Sequence, residues 1–467
     1  MSTFAWTDRE VRGALGLRTD IARDEVVYTG VSTDSRAVKG GELYVALVGE
    51  RFDGHDFVAD ALAGGAIAAV VSHQVAGARD VILYPVDDTL EALGALSTHR
   101  REALDATVVA ITGSTGKTTT KDLVTAAVGP HRRTYATRGN RNNRIGLPLT
   151  LLETPLDTEV LVLEMGTSEP GEIRSLTAIA RPDIGVITNV GESHLEGLRS
   201  LEGVMEEKLD LLRGLPEKAR CVVGDEPPEL VERSREIQED VRVAGWSERA
   251  DASARPGNTA VDSLGRHAFD WQGTRVSVPF PGRHAVQDAL IALTVSDLLG
   301  VPPEAAAGGL AGAVTGALRG QVRRIGRLTV IVDCYNANPQ SVRAALGRLE
   351  LHEASTPKVA VLGTMLELGE ASDRLHDDVL ADALARGVDL VVATGAFAEA
   401  ALRQGGPGVE RVLAAADWQA AYPELRRRLE GDEVLLLKAS RGIALEGMLP
   451  LLEQDFGDAR DAVGGER

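Results

Sequence analysis

The stretch from Thr107 to Val128 constrains the fold more than any other part of the chain. Thr107 to Thr112 is a β-branched run that stops at the glycine-rich turn Gly113-Ser114-Thr115-Gly116-Lys117-Thr118. A helical pattern follows through Val128, and Gly129-Pro130 ends it. A strand, a glycine-rich turn and a helix in that order gather several backbone N–H groups at one point, where the helix dipole favours an anion. Glycines let the backbone approach phosphate oxygens closely, Lys117 can reach the outer ones, and Thr118 can ligate magnesium. Gly113 to Thr119 is therefore the predicted ATP-phosphate site. Ile111 stands where the usual form of such a loop has its first glycine. An ordinary strand-to-helix turn, however, leaves two glycines, a lysine and three threonines together unexplained.

Two further apolar strands end in polar groups. Val160 to Leu163 runs into Glu164, and Ile184 to Thr188 runs into Asn189 and then His194. Strands alternating with helical patterns predict a parallel sheet, and the carboxyl ends of such strands line the ligand crevice. Glu164 and His194 are thus expected to converge on the phosphates as magnesium ligands, the hard carboxylate being the better match. Taken by itself His194 reads as a structural histidine; its place after a buried strand makes it a candidate. In Ser200 to Leu212, Leu201, Val204, Met205, Leu209 and Leu212 form a helical stripe with Lys208 on the same face. On pattern alone Lys208 reads as a lysine that snorkels to water.

With 467 residues the chain exceeds one ordinary core, and roughly three domains are expected. They are placed at residues 1–85, 86–318 and 319–467. The first is a small α/β unit opened by a helix that Thr7 and Glu10 cap. The second is a doubly wound phosphate-loop unit, in which 225–243 is an acidic, solvated helix and 251–280 forms loops and short strands. The third is Rossmann-like, with strands at Leu328 to Asp333, Lys358 to Leu362, Leu390 to Ala393 and Glu433 to Leu437. Asp333, at a strand end, can meet a ribose hydroxyl or order a base. Asp333-Cys334-Tyr335-Asn336-Ala337-Asn338-Pro339 then turns into a helix from about Gln340, and Lys438-Ala439-Ser440-Arg441 sets two cations and a hydroxyl at another strand end.

A formal charge of −19 gives no general pull toward nucleic acid or anionic lipid, so bound phosphate must be held locally. Cys221 and Cys334 lack metal-ligand spacing and read as reduced core residues, which suits the cytoplasm. The opening MSTFAWTDRE carries charges where an export signal needs an apolar run, and no apolar stretch approaches membrane-spanning length. Neither export nor membrane insertion is expected.

Together these residues resemble the Mur ligases of peptidoglycan synthesis over essentially the whole chain. Asp34-Ser35-Arg36 and Gly49 to His55 resemble the family's uridine-nucleotide unit. Thr112 to Thr118, Asn140-Arg141-Asn142-Asn143, Glu164-Met165-Gly166 and Thr188 to His194 match its ATP-unit motifs. Tyr335 to Pro339 and Leu362 to Gly369 resemble the branch that adds D-alanyl-D-alanine. The resemblance implies three-domain Mur ligase α/β architecture and two cofactors, ATP and Mg2+. It implies UDP-N-acetylmuramoyl-tripeptide and D-alanyl-D-alanine as substrates, with no nucleic-acid partner and a monomer as the working unit. Lys117, Glu164, His194 and Lys208 would be catalytic. Thr118, Glu164, His194 and Lys208 would hold the metal, Lys208 as a carbamate. Ser35, Arg36, Asn140, Asn143, Asn336 and Asn338 would contact substrate. Asp288 stands where the family uses an asparagine toward adenine; as a carboxylate it accepts and cannot donate. Ala285, Gln321, Thr364 and Ala439 also depart from the pattern. In the implied reaction a peptide carboxylate attacks the γ-phosphate, the dipeptide amine displaces phosphate from the acyl phosphate, and a hinge near residue 318 closes the third unit. Beside this stand a sibling ligase for another amino acid and a silent precursor-binding paralogue, against which the intact Lys117, Glu164, His194 and Lys208 set argues.

Overall fold

Thr7 opens the first helix, Asp8–Ala14, through a reciprocal cap: its backbone N–H donates to Glu10 Oε2 at 2.7 Å and its hydroxyl accepts from Glu10 N at 3.3 Å. The computed structural model describes residues 5–75, 81–262, 265–314, 316–405 and 408–457. The ends of the first and third predicted units thus lie outside the described residues. Asp8 is buried and would be costly alone. It accepts from Arg12 Nε (2.9 Å), Arg23 N (2.7 Å) and Tyr84 Oη (2.5 Å), and these bonds tie the helix to a four-stranded parallel sheet. That sheet runs Val31–Ser32, Leu43–Val45, Ala68–Val71 and Ile82–Pro85. Asp88 then caps the helix Thr89–Glu102, which carries Leu93 and Leu96 back into the first sheet's core while its other side packs on central helices.

The central sheet has six parallel strands in the spatial order Val241–Ala244, Arg220–Gly224, Ile184–Ile187, Thr107–Thr112, Val160–Glu164 and Thr134–Ala136. Both faces are covered, so its central strands are apolar along most of their length, and alternate side chains feed two cores. Val108 and Ala110 join Leu161 and Leu163 on one face; Val109 and Ile111 join Val160 and Val162 on the other. Chain order reverses beside Thr107–Thr112, the place where such sheets open a ligand crevice.

The stretch 225–243 differs from expectation. Only Pro228–Ile237 is helical, Leu230 and Val231 in it are buried, and Val241–Ala244 is an edge strand. Its alternation spans four residues amid charged neighbours, too few for the period to show. Leu201, placed on the buried stripe, is instead exposed at the first turn of Leu201–Arg213. Gly257–Val261, Arg266–Trp271 and Thr274–Pro281 pair into a small antiparallel sheet. It leads into Arg283–Leu298, a largely buried helix packed on the phosphate-loop helix Lys117–Val128.

Leu318 and Gly320, both at positive φ (61° and 66°), turn the chain into the last sheet. There an antiparallel edge strand, Gln321–Ile325, precedes parallel strands Leu328–Asp333, Val434–Lys438, Lys358–Leu362, Leu390–Thr394 and Val412–Ala415 in spatial order. The register sets Asp333 against Lys438, and Lys438 Nζ donates to Asp333 Oδ2 at 2.8 Å. Cys221 and Cys334 are free and buried, and burial pushes both thiols up to about 12. Among the described residues no helix is long and apolar enough to cross a membrane.

Candidate active site

The phosphate loop needs glycine at both of its positions. Gly113 has φ 151°, and a Cβ there would fall 1.8 Å from Thr188 Oγ1; Gly116 has φ 79°, and a Cβ would fall 2.3 Å from Asp288 Oδ1. The end of the neighbouring strand cinches the loop. Thr188 Oγ1 donates to Thr115 O (2.5 Å), Asn189 Oδ1 accepts from Thr115 N (3.1 Å), and Asn189 Nδ2 donates to Thr115 Oγ1 (2.9 Å). Ser114 Oγ accepts from Gly191 N at 2.9 Å and lies 3.0 Å from Ser193 Oγ. The loop is thus held by its neighbours.

At the first turn of the loop helix Thr118 Oγ1 donates to Glu164 Oε2 at 2.8 Å, and Asn142 Nδ2 donates to Glu164 Oε1 at 2.8 Å. Glu164 is buried at the end of its strand, in register with Ile111. Lys117 Nζ donates to Gly113 O at 2.6 Å; burial lowers its pKa and the Arg319 charge adds to this, while Glu164 and Glu367 oppose it. Lys208 is fully buried, and burial together with the Lys117 charge holds its amine well below the usual lysine range against the opposing Glu207. The snorkelling expected from pattern does not occur. A hydroxyl and a carboxylate in contact beside a phosphate loop are hard oxygen donors suited to Mg2+. An unmodified ammonium at Lys208 does not fit beside such an ion, whereas a carbamate would.

Burial pushes Asp288 up to about 8, offset in part by a 3.3 Å hydrogen bond from Thr120 Oγ1. The group is therefore largely a neutral acid at pH 7, and it can donate. The expectation that it could only accept took a solvated carboxylate as its reference, and burial favours the neutral form instead. Burial, reinforced by Arg348, pushes His284 down to about 4, with Asp333 opposing.

The third unit faces the loop directly. Asn338 caps the helix Pro339–Leu349 and places Nδ2 3.5 Å from Ser114 O; Gln340 Oε1 lies 3.4 Å from Thr115 Oγ1. Arg319 stacks on Tyr335 with its guanidinium 3.7 Å from the ring centroid. Lys438 Nζ also donates to Asn336 O at 2.7 Å. Glu367 Oε2 lies 2.5 Å from His194 Nδ1, and that contact lowers the Glu367 pKa.

A cavity of about 1260 Å³ joins these pieces. It is lined by Ser114 to Thr119, Asn143, Glu164, His194, Asp288, Asp333, Asn336 and Asn338 among others. Gly113 closes the loop behind it, and Lys208 lies buried outside its lining. Ser35, Arg36 and Asn140 are not brought to it. Arg36 is exposed and paired with its neighbour Asp34 at 2.8 Å, Ser35 is half-buried, and Asn140 is exposed. Sequence reasoning missed the roles of Asn142, Gln340 and Glu367. Asn142 and Glu367 stood inside quoted motifs and Gln340 just after one, but their partners are 22 to 225 residues away in the chain.

Three family models match in order along the chain: the Mur ligase family catalytic domain at residues 27–101, the Mur ligase middle domain at 111–296 and the Mur ligase glutamate ligase domain at 319–441. The UDP-N-acetylmuramoyl-tripeptide–D-alanyl-D-alanine ligase of Bacillus subtilis (strain 168) is 38% identical over 434 residues, covering 91% of this chain and 93% of that one. A crystal structure of MurF from Acinetobacter baumannii superposes with a TM-score of 0.89 at 30% identity, covering 97% of this chain and all (100%) of that one. MurF ligase from Thermotoga maritima, solved in complex with ADP, superposes with a TM-score of 0.80 at 28% identity, covering 91% and 97%.

Proposed function

The chain belongs to the Mur ligase family, and from that premise we propose that it joins D-alanyl-D-alanine to UDP-N-acetylmuramoyl-tripeptide using ATP. The observation that carries the reading is the Thr118–Glu164 contact at the first turn of the phosphate-loop helix, with Lys117 beside it and an uncharged-prone Lys208 buried behind.

The reaction needs two steps, because a carboxylate is a poor acyl donor until one oxygen becomes a leaving group. A tripeptide carboxylate oxygen bonds to the γ-phosphorus of ATP as the bond to the β-phosphate oxygen breaks, giving an acyl phosphate and ADP. The dipeptide amine then attacks the acyl carbon, phosphate leaves and the nitrogen loses a proton. Backbone N–H groups of Gly116 to Thr119 and the Lys117 ammonium hold the phosphates in line, and positioning with charge neutralisation supplies most of the catalysis. Thr118, Glu164, His194 and a carbamylated Lys208 would hold Mg2+, which when bound would neutralise charge on the phosphates. Carbamylation requires a neutral amine to attack CO2, and burial of Lys208 favours that form.

Asp288, able to donate as well as accept, is assigned to the nucleotide. Asp333 is assigned there too, and Asn143, Asn336 and Asn338 to the reacting substrates. Ser35, Arg36 and Asn140 are assigned to the UDP-linked precursor away from the reaction centre. Residues 1–85, 86–318 and 319–467 then act as precursor, ATP and dipeptide units. On this reading the third rotates about a hinge near residue 318, where Leu318 and Gly320 turn the chain into the last sheet.

The deciding experiment is ADP release with magnesium, ATP and UDP-N-acetylmuramoyl-tripeptide, comparing D-alanyl-D-alanine, single amino acids and no acceptor, with product masses. Release that depends on the dipeptide, with a UDP-pentapeptide product, supports the reading. Turnover with a single amino acid instead makes the chain a sibling ligase, and tight precursor binding without turnover makes it a silent paralogue.

A further inference from the structure

Lys438 is buried, with 3% of its side chain exposed, and neither step of the ligation uses it. A lysine in such a place is costly unless its charge and its N–H groups find partners. Nζ pairs with Asp333 Oδ2 at 2.8 Å and donates to Asn336 O at 2.7 Å. One atom thus holds both a carboxylate and the turn from Tyr335 to Pro339.

Topology brings the pair to a crevice. Leu328–Asp333 and Lys358–Leu362 are successive parallel strands in the chain, but Val434–Lys438 lies between them in the sheet. Chain order reverses there, and at such a point the carboxyl ends of the strands receive a ligand. Asp333 and Lys438 are the last residues of neighbouring strands and stand in register. The acid is the more open of the two: 22% of its side chain is exposed, and it lines the nucleotide cavity. With Oδ2 on the lysine, Oδ1 carries no hydrogen bond among the described residues. Arg348 also acts on Asp333 through its charge, but its guanidinium is engaged by Gly320 O at 3.0 Å.

We propose that Lys438 is a positioning residue for the nucleotide sugar: it clamps Asp333 by Oδ2, so that Oδ1 is presented to a ribose hydroxyl. The proposal rests on the assignment of Asp333 to the nucleotide. Ser440, two residues further on, donates to Ala337 O (3.3 Å) and accepts from Leu366 N (2.9 Å) without touching Asp333, and it serves as the comparison.

The test is calorimetric binding of ATP, 2′-deoxy-ATP and 3′-deoxy-ATP, each with magnesium, to the full chain without the other substrates. The parent is expected to prefer ATP to one of the deoxy forms by about 10–100-fold, the loss that follows when a hydrogen bond to a charged group is removed. Lys438→Met should cut that preference to about threefold or less and leave the affinity for the same deoxy form within about threefold. A merely structural role would weaken all three nucleotides alike. Because Lys438→Met leaves a carboxylate unpaired, the double variant Asp333→Asn/Lys438→Met, which removes the whole ion pair and is better tolerated, is measured beside Asp333→Asn. The two should agree in sugar preference within about twofold if the lysine acts through the acid. Ser440→Ala should keep the parent's preference. The proposal is overturned by a Lys438→Met protein with the parent's preference or with equal losses for all three nucleotides, by a double variant that departs from Asp333→Asn, or by a Ser440→Ala protein that loses the preference as Lys438→Met does. A parent with no sugar preference overturns it together with the assignment of Asp333. A parent that binds ATP but releases no ADP with the dipeptide removes the ligase reading, and the sugar preference still judges the pair.

Discussion

The two walls of the nucleotide cavity are built differently. On the phosphate-loop wall the polar groups are tied within one parallel sheet by bonds of 2.5 to 3.1 Å, from Thr188 and Asn189 to Thr115, and Glu164 is buried in its strand. On the third-unit wall Asn338 and Gln340 reach the loop at 3.5 and 3.4 Å, and Arg374 meets Glu192 at 3.3 Å with its side chain largely exposed. Donors already fixed in place cost no reorganisation as charge moves onto the γ-phosphate. Contacts this long are weak individually, and the exposed Arg374–Glu192 pair adds little. The difference teaches that, on the proposed reading, the phosphoryl step is housed in the wall with the short bonds, while the acceptor arrives on the wall with the longer ones.

If that division is right, variants of the two walls fall into different kinetic classes. Glu164→Gln keeps the shape but removes the charge that meets Thr118, and kcat should fall by about 10²–10³-fold, with the KM for D-alanyl-D-alanine little changed. Steady-state kinetics with the dipeptide varied checks this, and an equal rise in that KM breaks the comparison. Next in size is Lys208→Met, which removes a buried amine and keeps most of its volume. Its kcat should drop by about 10–100-fold, yet its thermal midpoint should hold or rise, because an ionisable group that burial disfavours is gone. A fall in midpoint together with unchanged kcat would make Lys208 structural. Intact mass of the parent should show one added CO2.

Much of the rigid wall was legible in sequence, because its information is local. The strand, the glycines and the helix start at Lys117 are adjacent, and the three strand ends could be aligned by one rule about parallel sheets. Lys208 was legible only in part: the helical stripe showed that it faced inward, but the absence of a route to water depends on how Leu201–Arg213 packs. Leu201 shows the same limit from the other side. The third-unit wall was less legible, since Glu367 is an unremarkable acid until the fold brings it to His194, 173 residues earlier in the chain. For Asp288 the place was legible and the protonation was not, because burial by Arg283–Leu298 against the loop helix cannot be read from spacing.

Asp288 supplies the next prediction, a pH dependence confined to the rigid wall. Its folded pKa of about 8 lies above its ordinary value near 3.8, so between those limits the folded state binds a proton that the unfolded chain does not. Its contribution is therefore present below pH 3.8 and is lost as pH rises through about 8. Above that, an ionised carboxylate beside Gly116 also repels the incoming phosphates. Asp288→Asn should be more stable than the parent at pH 9 by on the order of 2 kcal/mol, with little difference at pH 4. Its KM for ATP should stay flat where that of the parent rises. Thermal unfolding across pH 4–9 and ATP kinetics across pH 6–9 check both, and parallel profiles would show that Asp288 is ionised throughout.

The smallest effect belongs to Gln340, and it tests the weak wall directly. Its amide lies against Thr115 Oγ1 at 3.4 Å and against Gly191, where an added Cβ would meet Oε1 at 2.8 Å, so the side chain fills the seam between the units without a short bond. Gln340→Ala should therefore raise the KM for D-alanyl-D-alanine by about two- to fivefold, a cost of under about 1 kcal/mol, and leave kcat and ATP affinity within twofold. The sign of any kcat change carries the information. A small rise, with closure weakened and product release made easier, places opening of the third unit on the slow path. A tenfold fall in kcat would mean that the seam holds the phosphate loop in shape, and the two walls would then be one.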